Sequence, residues 1–87
     1  MKSLATKRFW SLFLALPVEV QQLATKTYSL WRLNPGHPSI RFRRLRDSEL
    51  FTARVGDHYR ALGRLQGDTI IWLWIGSHAG YDRIKKE

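Results

Sequence analysis

Residues Asn34-Pro35-Gly36-His37-Pro38 divide the chain into two parts that obey different periodicities. Two prolines and a glycine within five positions deny the backbone helical hydrogen bonds and favour turns, so no helix or strand runs through this point. Before it, Phe9, Leu12, Phe13 and Leu16 repeat at the i, i+3, i+4, i+7 spacing of one helix face. Pro17 ends that helix and suits the first turn of a second. The second helix carries Val20, Leu23, Ala24, Thr27, Leu30 and Trp31 on one side, with Glu19 near its start and Arg32 near its end, both favourable to the helix dipole. The sequence therefore predicts a helical hairpin.

After Pro38 the period becomes two. Ile40 and Phe42 flank Arg41 in a short edge strand, with Leu45 out of phase. Strands are predicted over 51–55, 59–65 and 69–75, separated by Gly56-Asp57-His58 and Gln66-Gly67-Asp68, and a short helix with a basic end follows from about Ala79. If both loops hold three residues, Arg54 faces Arg60 and Arg60 faces Trp74. One face then carries Ala53, Val55, Ala61, Gly63, Ile71, Leu73 and Ile75 toward the helices. The other carries Arg54, Arg60, Arg64, Trp72 and Trp74, with His58 at its end and His78 just past Trp74. Like charges directly opposed across strands are destabilising, and an anion between them removes that penalty. The expected fold is α+β: an N-terminal helical hairpin on a small antiparallel sheet with a short C-terminal helix, all in one domain over residues 1–87.

A formal charge of +8 on 87 residues favours an anionic partner. The absence of cysteine suits a reducing cytoplasm, where the protein is expected. Lys2, Lys7 and Arg8 before an apolar run are reminiscent of a secretory signal, but the run reaches Pro17 after eight residues, Phe9 to Leu16, without a small-residue cleavage site. It is also far short of the roughly 20 apolar residues a membrane span needs.

Several side chains are candidates for chemistry. His78 leaves a strand and enters a helix, where imidazole serves in proton transfer or is simply solvated. His58 belongs to a hairpin loop and His37 to a turn. The three histidines show none of the spacings of a metal site, so no metal or other cofactor is expected. Trp72 and Trp74 are either core residues or platforms for bases. Arg41, Arg43, Arg44 and Arg46 form a solvated edge or contact phosphates, for which guanidinium is well suited.

The order of these pieces resembles the RelE/ParE superfamily of toxins from bacterial toxin–antitoxin systems. It runs from Pro17-x-x-Val20-Gln21 to His37-Pro38-Ser39, then Arg54-Val-Gly-Asp-His-Tyr-Arg60-Ala-Leu62 and Ile71-Trp-Leu-Trp-Ile-Gly-Ser-His78, with Tyr81 downstream. The resemblance covers nearly the whole chain and implies a microbial-ribonuclease-like fold. In the RelE branch it implies ribosome-dependent cleavage of messenger RNA in the A site, by attack of the 2′-hydroxyl on the phosphate without metal. By resemblance, Arg60 holds the phosphate, Arg54 is a second cation, His78 acts on the attacking or leaving oxygen, and Tyr81 lies near a tyrosine that some members use. His58, at the end of the arginine row by parity alone, is a further catalytic candidate. Arg41, Arg43, Arg44, Arg46, Arg64 and Trp74 are expected to bind RNA. The implied partners are the ribosome, the message and an acidic, partly disordered antitoxin. Thr52 and Gly80 depart from the family pattern, which has a basic residue in some members at the first position and a larger, often acidic one at the second. In the alternative, ParE-like branch the same fold inhibits a topoisomerase by binding and cuts no RNA.

Overall fold

The computed structural model describes the backbone of residues 1–86 and side chains as far as Ile84, so the basic end expected for the last helix lies outside the described residues. The chain runs β1 (Lys2–Ala5), α1 (Lys7–Leu14), α2 (Val18–Leu33), β2 (Arg43–Arg44), β3 (Leu50–Val55), β4 (Tyr59–Gln66), β5 (Thr69–Ser77) and α3 (His78–Lys86). The strands form one sheet in the order β1-β5-β4-β3-β2. The expected α+β class holds. The sheet is larger by one strand than the sequence suggests, and mixed, because β1 lies parallel to β5 with Lys2 opposite Thr69.

Both N-terminal helices begin and end as their sequences dictate. Thr6 caps α1, its Oγ1 accepting from the Phe9 amide at 3.1 Å. At the corner, the Gln21 side chain donates to the carbonyls of Leu14 and Leu16 at 3.2 and 3.0 Å, partners that the last turn of α1 otherwise lacks. Past α2, Ile40 is fully buried in a turn rather than in a strand, and the edge strand is only Arg43–Arg44. Arg41 and Arg46 on either side of it both adopt φ 49°, which breaks the extended run predicted there.

Helices α1 and α2 cover one face of the sheet. Trp31, 2% exposed, is the centre of that core, meeting Trp72 and Phe42 edge-on with ring centroids 5.4 and 5.6 Å apart. Ala53, Val55, Ala61, Ile70 and Ile75 complete it. Trp72 thus packs among core residues and not on the basic face. Two features produce this correction. The β4–β5 loop has two residues, Gly67 at φ 63° and Asp68, with Gln66 paired to Thr69, and this turns Ile70 and Trp72 inward in place of Ile71. A bulge at Leu73 then turns Ile75 inward as expected, but the register is two residues away from the predicted one: Arg60 lies opposite Gly76, not Trp74, with Leu62 opposite Trp74 and Ala61 opposite Ile75. Gly63 makes room for the change, since a Cβ there would approach Ile70 and Trp72 to 2.9 and 3.0 Å.

Helix α3 lies on the opposite face, where Tyr81 and Leu62 are buried. Among the described residues, no helix is long and apolar enough to cross a membrane.

Candidate active site

The β3–β4 hairpin brings the central cations together. Its three-residue loop sets Arg54 directly opposite Arg60, as the sequence parity predicts. Arg54 bends back over the turn, donating from Nε to the Gly56 carbonyl at 3.0 Å and pairing with the Asp57 carboxylate. Arg60 donates to the Tyr59 carbonyl at 2.8 Å. Burial lowers the pKa of Arg60 below the ordinary arginine range, and the charges of Arg54 and Arg41 add to that shift, while Tyr81 and Asp82 oppose it. The left-handed turn at Arg41 is what adds this third cation: the Ile40 carbonyl accepts from the Arg54 amide at 2.6 Å, tying the turn to β3.

Asp57 offsets the charge of Arg54, whereas Arg60 has no carboxylate in contact among the described residues and keeps the repulsion of the arginines around it. Replacing Arg60 by methionine is expected to leave the fold intact and raise the melting temperature by up to about 8 °C, equivalent to relieving a cross-strand repulsion of about 1 kcal/mol in a domain this size. A drop of several degrees in a thermal melt would show instead that the guanidinium is structural.

The start of α3 completes the site. The His78 amide donates to the His58 carbonyl at 2.7 Å, which fastens the helix start to the hairpin tip. The His78 ring stacks on Tyr81, with centroids 6.4 Å apart and planes 26° from parallel. Its Nε2 stands 3.4 Å from Oδ2 of Asp82, one turn along the helix. Trp74 lies along β5 over Gly76, where a Cβ would come within 2.5 Å of the indole. The same ring would be 3.3 Å from a Cβ at Gly80, so glycine at that position has a local cause: the indole occupies the space a larger residue would need.

Of the predicted residues, Arg54, Arg60, His78 and Tyr81 gather here, His58 joins through its backbone, and Trp74 borders them. Tyr81 is 6% exposed, more deeply set than a catalytic side chain need be, yet close enough to Arg60 to act on its charge. The remaining arginines stand apart. Arg43 lies opposite Thr52, Arg44 sits over the Phe51 ring at 5.6 Å, Arg46 borders a shallow hollow beside Leu50 and Tyr81, and exposed Arg64 is paired with Leu50 and Ile71 further along β4. Thr52 is buried, and its hydroxyl has no hydrogen-bond partner among the described residues. Sequence reasoning missed the place of Arg41 in the cluster and missed Asp82 altogether. The i, i+4 spacing of His78 and Asp82 was the signal for the second, but the helix predicted from about Ala79 left His78 outside it.

The fold is that of known toxins. A RelB–RelE antitoxin–toxin complex from Methanococcus jannaschii contains a chain that matches with a TM-score of 0.72 and 18% identity, over 92% of this chain and 96% of that one. A YoeB/ParE toxin from Agrobacterium tumefaciens matches with a TM-score of 0.70 and 13% identity, over 90% and 99%. The intact RelBE complex of Escherichia coli gives 0.65 and 13%, over 86% and 93%. No curated protein sequence matches the chain. Residues 18–83 match the model of the ParE-like toxin domain family, and the chain belongs to that family. It is thus a toxin of the RelE/ParE superfamily, the toxin component of a toxin–antitoxin system.

Proposed function

We propose that this toxin is a ribosome-dependent endoribonuclease that cuts messenger RNA in the A site. The observation that carries the reading is the grouping of Arg41, Arg54 and Arg60 beside His78. In the reaction the ribose 2′-oxygen attacks the adjacent phosphorus and loses its proton. The bond to the 5′-oxygen breaks, that oxygen leaves with a proton, and a 2′,3′-cyclic phosphate remains. A phosphorane-like transition state gathers negative charge on its equatorial oxygens, and fixed guanidinium groups stabilise it. Proton transfer near neutral pH suits imidazole, so His78 acts on the attacking or the leaving oxygen. Trp74 offers a flat surface to a base beside the site. With cations supplied by the chain itself, the step needs no metal.

An antitoxin is the second partner. RelE toxins from M. jannaschii and E. coli were solved bound to RelB antitoxins. In this chain α1 and α2 stand apart over an apolar cleft of about 280 Å³, bordered by Phe9, Trp10, Phe13, Tyr28 and Trp31, and Trp10 remains 51% exposed. The flanking residues 1–33 hold Lys2, Lys7, Arg8, Lys26 and Arg32 against one carboxylate, Glu19. An acidic segment with an apolar face complements both properties.

The test is to add purified protein to ribosomes stalled on a defined message and map the RNA ends. Cuts confined to the A-site codon, ending in a 2′,3′-cyclic phosphate or its 3′-phosphate product and unaffected by a chelator, are expected. An intact message from a protein that still arrests growth would overturn the nuclease reading. The ParE-like family match favours topoisomerase binding as the reading that would replace it.

A further inference from the structure

The catalytic reading leaves one ionisable group in the site without a task. Asp82 stands one helical turn after His78, with Oδ2 3.4 Å from Nε2. It also lies within the field of Arg60 and counters the charges that crowd that guanidinium. Asp82, half exposed, thus lies beside the imidazole and close enough to Arg60 for its charge to be felt there. The other constraints on His78 come from elsewhere: its amide is held by the His58 carbonyl, and its ring lies nearly parallel to that of Tyr81 with centroids 6.4 Å apart. Neither contact distinguishes the two ring flips about the Cβ–Cγ bond, and so neither decides which nitrogen is left for a substrate. A carboxylate near Nε2 favours one flip over the other.

We propose that Asp82 is a positioning residue for His78. Its carboxylate accepts the Nε2 hydrogen and so assigns proton exchange with the RNA oxygens to Nδ1. The inference deepens the nuclease reading and rests on it for its kinetic part. Its structural part concerns only the two side chains. An ordinary exposed i, i+4 pair would leave the ring as mobile without Asp82 as with it.

The experiment uses the full chain in two arms. In the first, without RNA, the ring-proton resonances of His78 are followed by NMR. In the wild type the stacked Tyr81 ring should displace them from free-histidine values. Asp82→Asn should move them back toward those values, and Asp82→Glu should move them less. Unchanged resonances in Asp82→Asn would overturn the proposal. In the second arm, Asp82→Asn should lower kcat for A-site cleavage by about 10–100-fold with KM little changed, the scale on which loss of a histidine-orienting partner is felt. In a His78→Gln background the same change should have almost no further effect. An equal loss in both backgrounds would mean that Asp82 acts on folding or RNA binding, and would also overturn the proposal. If the wild type leaves RNA intact, the nuclease reading falls, and the ring resonances alone decide whether Asp82 positions His78.

Discussion

If the proposed nuclease reading holds, His78→Gln is expected to lower the rate of A-site cleavage by about 10²–10⁴-fold, the usual contribution of a placed general acid or base. The melting temperature should hardly change, because the ring is half exposed and the anchoring amide belongs to the backbone. Glutamine keeps the length and hydrogen bonding of the side chain but exchanges no proton near neutral pH, so the loss should appear in kcat rather than KM. Arg60→Leu is the companion variant. It should lower the rate by about 10²–10³-fold, as expected for one charge partner of the transition state, while leaving the protein no less stable. Single-turnover cleavage with mapped ends checks both. His58→Gln should matter less, since that residue supports the site through its carbonyl, which any side chain retains. If His78→Gln cuts at the wild-type rate, the imidazole is not the proton-transfer group.

The second large effect concerns the core. Trp31→Ala should reduce unfolding free energy by about 3–5 kcal/mol, a large part of the total for so small a domain. Trp31 joins α2 to the sheet through Trp72 and Phe42, so its removal opens a cavity between two layers. Trp31→Phe should be milder, because it removes fewer buried atoms and leaves a smaller cavity. Phenylalanine keeps an aromatic ring in the cluster and discards a buried indole N–H that has no acceptor, so little hydrogen bonding is lost. Urea unfolding of the two variants separates these contributions. If phenylalanine is as damaging as alanine, the indole N–H is engaged after all.

Much of this architecture is legible in the residues because local rules control it. The prolines at 35 and 38 divide helix from strand, and the loop from Gly56 to His58 fixes the pairing of Arg54 with Arg60. What was hidden depends on contacts between distant segments. Lys2–Ala5 shows no strand pattern, and only its partner β5 makes it a strand. Trp72 and Trp74 have the same parity in the sequence, yet one enters the core and the other the site, because the short turn and the bulge at Leu73 shift the phase between them. The cluster itself was half visible. Parity paired Arg54 with Arg60, but a left-handed turn brings Arg41 to them, and no hydrophobic pattern encodes such a turn.

The position of β5 has a consequence for how the toxin comes into being. It is the last of the described strands to be synthesised, yet it lies between β1 and β4, and it holds Trp72 for the core and leads into His78. The first strand emerges without the one neighbour it has among the described strands and must wait for Thr69–Ser77. Pairing across such a separation is slow to form and is established late. A nascent copy therefore lacks both the full five-stranded sheet and the start of α3 until β5 has been synthesised. Until then it holds the helices and the β3–β4 hairpin of the toxin but not its assembled fold.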